Sequence, residues 1–352
     1  MNQFLRHSLL FFILTTSLFA EKNKVADLLK QPDSWFKSKA ATQAATIILS
    51  YQSPRGAWPK NTNTAGKAYT GDPEKIDPTF DNGATTDELR FLARLHQAQA
   101  SPAYEKAFIR GLDYIHRAQY RNGGWPQSHP PGDKYHRHIT FNDGSMVRLL
   151  EFLREIADPQ THPQYQFLTD QQRKKARSAF DQGIQCILRC QIIIDGKPTV
   201  WCAQHDEVNF KPALARSYEL PSLSGSESVG ITRLLMSIDE PSPEIIRAIE
   251  AAVAWFTDHA LHDIRIEEIK NKDGKKDRAV VKDRKAPRLW ARFYDLKTQQ
   301  PLFCDRDGIP LKTYAELGHE RRNGYAWYGN WAENLLEKNY PKWKKSLPLN
   351  KR

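Results

Sequence analysis

Residues 199–230 read TVWCAQHDEVNFKPALARSYELPSLSGSESVG. They join two segments of helical periodicity through a stretch too polar and irregular to be helix or strand. Pro212 and Pro221 fix turns within it, and it carries Trp201, His205, Asp206, Glu207, Lys211, Arg216, Tyr218, Glu219 and Glu227. A connection of this length inside a compact domain is uncommon and as a rule functional. We read it as the largest wall of an active site.

Moving outward, the same pattern recurs. Three times a helical segment ends in Gln, followed by a turn and a Trp: Gln52…Gly56-Ala57-Trp58-Pro59, Gln119…Gly123-Gly124-Trp125-Pro126 and Gln191…Gly196…Trp201. The Gln positions lie 67 and 72 residues apart. Each Trp segment leads through a polar loop to a new helix start, at Asp81-Asn82-Gly83-Ala84-Thr85, Asn142-Asp143-Gly144-Ser145 and Ser224-Gly225-Ser226-Glu227. A repeat whose unit cannot bury its own apolar face implies stacked helical hairpins.

Apolar spacing marks the helices: Ala41, Ala45 and Ile48; Leu89, Leu92 and Leu95 behind a Thr85–Glu88 capping box; Phe108, Leu112 and Ile115; Met146, Leu149, Leu153 and Ile156; Phe180, Ile184 and Ile187 behind Thr169; Leu234, Leu235 and Ile238; and Ile249, Val253 and Phe256 behind Ser242-Pro243-Glu244. Trp327, Trp331 and Leu335 suggest a last helix. Strand signals are scarce. The expected class is all-α, an α/α toroid of three repeated hairpins with long active-site loops. Such a ring places Asp81, Asp143 and the 199–230 loop around one cleft.

The chain of 352 residues can bury a substantial core. Residues 1–20 carry Arg6 and His7 and then a short apolar run, which reads as a signal peptide because it falls well short of the ~20 residues that span a bilayer. Residues 21–39 form a helical lead-in, and 40–345 a single catalytic domain. No second apolar span exists, so the expectation is a secreted or periplasmic protein without a membrane anchor. Cys186, Cys190, Cys202 and Cys304 lack zinc-site spacing; buried thiols or one bridge from Cys202 are both open. The formal net charge is +11, and aromatic residues make up 11 % of the chain. Such a surface suits a polyanion, and for an exported protein an acidic polysaccharide fits better than nucleic acid. Part of the excess lies in 265–292, which reads as a solvated arm.

Asp81 with Asn82, and Asp143 with Asn142, precede helix starts, where a carboxylate also caps the helix and complements its dipole. Capping does not require the Thr-Phe that precedes both copies. Oxygen donors converging from two loops suit Ca²⁺, a hard cation with flexible coordination. Lys60, Lys211, Arg288 and Arg292 occupy loops expected on the same face. Arg216 is either a surface cation or a partner of Glu219. Trp58, Trp125, Trp201, Tyr325 and Trp327 either stack on sugars or fill the core.

The segments GAWPK (56–60), TFDNGATTDELRFL (79–92), NGGWPQ (122–127), ITFNDGSM (139–146), FKPALARSYELPSLSGSES (210–228), RLWARFYDL (288–296) and FCDRDG (303–308) resemble polysaccharide lyase family ten, the pectate lyases. The resemblance runs from about Ala40 to the C-terminus, with Ala57 in place of the usual second glycine. It implies Arg216 as the base that takes the C5 proton. It implies Ca²⁺ held by Asp81 and Asp143, with Asn82 adjacent. The substrate-binding set is Lys60, Lys211, Arg288, Arg292, His205, Trp201 and Glu227. The implied reaction is β-elimination on de-esterified polygalacturonate by a monomer, leaving 4,5-unsaturated oligogalacturonates. Two other readings remain: a glycoside hydrolase using Asp81 with Asp143 or Asp206 with Glu227, and a non-catalytic binder of acidic glycans.

Overall fold

The computed structural model describes residues 25–348, so the signal-peptide reading of 1–20 lies outside the described residues. After the short α1 (Val25–Leu28), the helices are α2 (Lys39–Ser50), α3 (Thr86–Ala98), α4 (Pro102–Ala118), α5 (Ser145–Ala157), α6 (Asp170–Cys190), α7 (Glu227–Met236), α8 (Pro243–Asp258), α9 (His319–Gly324) and α10 (Tyr340–Ser346). The start signals act as read. Ser38, Ser101, Thr169 and Ser242 each cap a helix through a side-chain oxygen, and Thr85–Glu88 closes a capping box.

Helices α3, α5 and α7 contact one another in an inner row and α6 contacts α8 outside it, while the hairpins α3–α4, α5–α6 and α7–α8 join the rows. The inner helices are buried most fully. On α5, Met146, Leu149, Leu150, Phe152, Leu153 and Ile156 are all inaccessible. The largest core side chains include Trp58, Trp125, Trp201 and Trp290.

One latch repeats through this stack. Gln52 donates from Nε2 to Gly56 O and to Ala107 O of α4, the next outer helix. Gln119 does the same to Gly123 O and Ala179 O, and Gln191 to Thr199 O and Ala248 O. Each Trp indole then donates back to the helix that precedes it: Trp58 to Ile48 O, Trp125 to Ile115 O and Trp201 to Ile187 O. Trp290 repeats the bond to Phe256 O and so reveals a fourth copy beginning at α8. The residues between carbonyl and indole number 10, 10, 14 and 34 in chain separation, so the fourth loop is by far the longest. Where the chain turns beneath the latch, Gly123 has φ +90°, and a Cβ there would lie 2.2 Å from Gln182 O. Only glycine fits.

The all-α toroid expectation needs correction. Among the described residues twelve strands form six antiparallel pairs, so the molecule is helix-dominated with β additions rather than all-α. Most are two-residue pairs that tie loops together, such as Ile139–Thr140 with Gln204–His205. The 265–292 arm contains a long hairpin, Ile264–Lys270 with Lys276–Lys282. Trp327 and Trp331 do not share a helix; Tyr328–Gly329 pairs with Trp290–Ala291, and helix resumes only at Glu333, running into a π-helical turn at Leu335–Asn339. All four cysteines are buried free thiols.

Candidate active site

The latches bring the loop ends of successive copies side by side. The residue two beyond each Trp accepts a backbone bond from the preceding copy's helix entry: Phe80 N to Gln127 O, Phe141 N to Ala203 O, and Gly225 N to Arg292 O. Two equivalent positions therefore line the same seam. The first, two beyond the Trp, holds Lys60, Gln127, Ala203 and Arg292. The second, at the helix entry, holds Asn82, Asp143 and Glu227, with Asp81, Asn142 and Ser226 one residue before. Asn82 and Asp143 share a left-handed backbone, φ 55° and 50°. Asn and Asp tolerate that region better than other non-glycine residues.

Asp81 is buried. Its Oδ2 accepts from Lys60 Nζ and from Gln127 Nε2 at 2.6 Å, while Oδ1 is buried without a hydrogen-bond partner. Asp143 opens to the cleft along one edge. The protein packed around it, then Glu227 and Asp81, lift its carboxyl above the usual carboxylate range against the pull of Arg292 and Arg216. Glu227 is nearly inaccessible, accepting from Arg292 Nη1 at 3.0 Å and from Ser224 Oγ at 2.5 Å. Burial opposes the charge on Arg292, but Glu227, Tyr325 and Asp143 outweigh it and hold the guanidinium firmly protonated. Arg292 also lies over the rings of Tyr325 and Trp331, at 5.1 and 5.7 Å.

Arg216 stands at the turn Arg216–Glu219. It makes a two-pronged pair with Glu219, through Nε to Oε2 at 2.8 Å and Nη2 to Oε1. Glu219 is fixed in turn by the Tyr325 hydroxyl at 2.6 Å. The Glu219 hydrogen bond raises the proton affinity of Arg216 well above its ordinary value. Tyr218, beneath Arg216 at 5.1 Å, also carries Arg321 at 4.6 Å and Arg306 at 5.6 Å. Tyr135 feels Arg216 and Lys60 together, after a larger effect of burial that raises its hydroxyl. A cavity of about 440 Å³ adjoins this end, walled by Lys60, Asn61, Lys75, Gln127 and His136.

The donor set fits a hard cation in part. Asp81 has Lys60 on Oδ2 but nothing on the buried Oδ1, and Asp143, in no ion pair among the described residues, is crowded by Glu227 and Asp81; a cation would answer both. They do not form a complete cage, since Asp81, Asp143 and Glu227 do not converge within 4.8 Å. The one described trio that does is His138, Asp206 and Glu207, and there Arg137 already pairs with Glu207.

Several nominated residues lie elsewhere. His205 is fully buried: Nε2 accepts from Cys202 N and Nδ1 donates to Phe210 O, so it holds the loop and touches no substrate. Trp201, Trp58, Trp125 and Trp327 are core. Arg288 is committed to Glu333 and Glu337. Lys211 is exposed on the Asp206–Lys211 turn, in no ion pair among the described residues. Gln127, Glu219 and Tyr135 were not nominated. Gln127 was legible as the counterpart of Lys60, two residues after the Trp.

The pectic acid lyase family model matches residues 52–336. Family 10 polysaccharide lyase from Cellvibrio cellulosa is 33 % identical, with a TM-score of 0.76 over 91 % of this chain and 96 % of that one. A mutant of that enzyme in complex with trigalacturonic acid matches equally, over 92 % and 98 %. No curated protein matches the sequence. The chain belongs to the pectic acid lyase family, within the polysaccharide lyases. Its enzyme class is pectate lyase.

Proposed function

We propose that this enzyme is exported and cleaves de-esterified polygalacturonate by Ca²⁺-dependent β-elimination, acting as a monomer with one catalytic domain over 40–345. The observation that carries the reading is the seam itself, where Asp81, Asp143 and Glu227 stand with Lys60 and Arg292 and where Arg216 is near enough to act on Asp143. A neutral sugar needs no such cations. Among the described residues no helix is long and apolar enough to cross a membrane.

In a galacturonate unit the C5 proton is α to the carboxylate, and the C4 oxygen is the leaving group. Removing that proton piles charge on an anionic group, so fixed cations around it lower the barrier. Asp81 and Asp143, with Asn82 adjacent, are the residues that would hold Ca²⁺, which supplies further neutralisation of the uronate carboxylate. Arg292, held by Glu227 and the aromatic rings, and Lys60 orient carboxylates from the two sides. Arg216 is the group nearest proton abstraction, as the family resemblance implies. Since Glu219 favours its protonated form, the base role requires that pair to loosen when substrate arrives.

Incubation of the purified protein with polygalacturonate tests the reading. The expected products carry a 4,5 double bond seen by ultraviolet absorbance, and the reaction stops on Ca²⁺ chelation. Saturated products, formed equally in chelator, would instead identify a hydrolase.

A further inference from the structure

The hairpin Ile264–Lys270/Lys276–Lys282 has no part in the seam, yet it is firmly held. Asp277 on its second strand is buried and accepts from Arg322 at 2.8 and 2.7 Å and from Asn323 at 2.8 Å, both on α9. The carbonyl of Lys276 lies 2.9 Å from His319 Nε2, on the same helix. Ile269, Asp277 and Ala279 line a cavity of about 1000 Å³ against the body. Arg278 and Val280 also reach this cavity, whereas Lys270, Lys276 and Lys282 are exposed and line no part of it.

The hairpin's outer surface is strongly cationic. Residues 264–285 hold nine Lys and Arg against five Asp and Glu. Four of the acids are already in ion pairs: Glu267 and Asp283 with Arg265, Glu268 with Lys276, and Asp277 with Arg322. Exposed Lys270, Lys272, Lys275, Lys282, Arg284 and Lys285 make no ion pair among the described residues. Lys270 and Lys276 are directly opposed across the ladder, and of the two only Lys276 has an acidic partner among the described residues, Glu268; a bound polyanion would supply one to Lys270. The hairpin is also continuous with the site. On the other side of α9, Arg321 lies over Tyr218 and Glu320 pairs with Arg306, so the two surfaces are about 10 Å apart, one helix width.

We propose that the basic outer face of the 264–285 hairpin is a second contact surface for the anionic polysaccharide, holding the polymer beyond the catalytic cleft. It rests on the lyase reading for its partner, but not for its test. The variant combines Lys270→Gln, Lys272→Gln, Lys275→Gln and Lys282→Gln. A control removes equal charge elsewhere, by Lys37→Gln, Lys39→Gln, Lys174→Gln and Lys175→Gln. Retardation in native gels containing polygalacturonate, run in chelator, reads binding without cleavage. The hairpin variant should bind the polymer at least about fivefold more weakly at low salt, with a shallower salt dependence, while the control stays near wild type. Turnover of trigalacturonate should remain within about twofold, because a trimer has far less chain than the polymer with which to engage cleft and hairpin together. Equal loss in the control, unchanged retardation of the hairpin variant, or a parallel fall in trimer turnover would each overturn the proposal. If wild type yields no unsaturated product, the lyase reading fails, and the retardation comparison still decides the hairpin.

Discussion

Arg216 carries two opposing demands. A base must lose a proton, yet Glu219 grips the guanidinium by two bonds and Tyr325 holds Glu219 in place. If Arg216 takes the C5 proton, Arg216→Lys and Arg216→Ala should both lower kcat by about 10²–10⁴-fold with KM little changed. A lysine variant within about tenfold of wild-type kcat in single-turnover kinetics would reduce Arg216 to a fixed cation. Asp81→Ala and Asp143→Ala should each abolish Ca²⁺-dependent turnover while the far-ultraviolet circular dichroism stays unchanged; retained turnover would remove them from the metal role. His205 makes a separate prediction. Burial lowers its pKa to about 4 from the ordinary 6.5, so it contributes full stability above 6.5 and loses it as pH falls toward 4. The loss is ~3 kcal/mol, and His116, also lowered to about 4, acts in the same direction. His205→Gln keeps an acceptor and a donor and should flatten the slope of unfolding free energy over that window. At this scale the sequence showed which residues carry charge, not which are accessible. His205 and Arg216 lie eleven residues apart in one loop, but only the fold decides that one is core and the other is cleft.

Among the elements, the helices were legible because their caps and apolar spacing are local, and tertiary packing agrees with them. The β-pairs were not. Two-residue ladders such as Leu223–Ser224 with Phe293–Tyr294 join segments about seventy residues apart, with too few positions to show an alternation. The fourth copy carries no sequence signature, because its Trp290 stands 34 residues from Phe256 and no Gln marks the end of α8. The latch itself is testable. Gln119→Ala removes the side-chain donor to Gly123 O and the second donor to Ala179 O, which keeps its helical bond, and should cost ~1–2 kcal/mol by chemical denaturation. A loss below ~0.5 kcal/mol would mean that the indole bonds alone hold the copies together. Gly123→Ala should be worse, since it meets both the carbonyl of Gln182 and an unfavourable φ.

For the whole molecule, the net charge of +11 becomes a rate effect. Initial rates on polygalacturonate at low substrate should fall steeply as ionic strength rises past the point where the Debye length drops below about 10 Å. Highly methylated pectin should be the poorer substrate and show a flatter salt response; faster cleavage of the ester would point to a pectin lyase. The uneven spacing between helix carbonyl and indole has a further consequence. Stretching that span from 10 to 34 residues raises the closure entropy by only ~1 kcal/mol, while the indole bond that closes it stays the same even where the Gln is missing. The scaffold thus behaves as a rack with four sockets, each indifferent to the cartridge between its contacts. A new loop could be slotted between Phe256 and Trp290, or between Ile187 and Trp201, and retool what the enzyme grips without redesigning what holds it up.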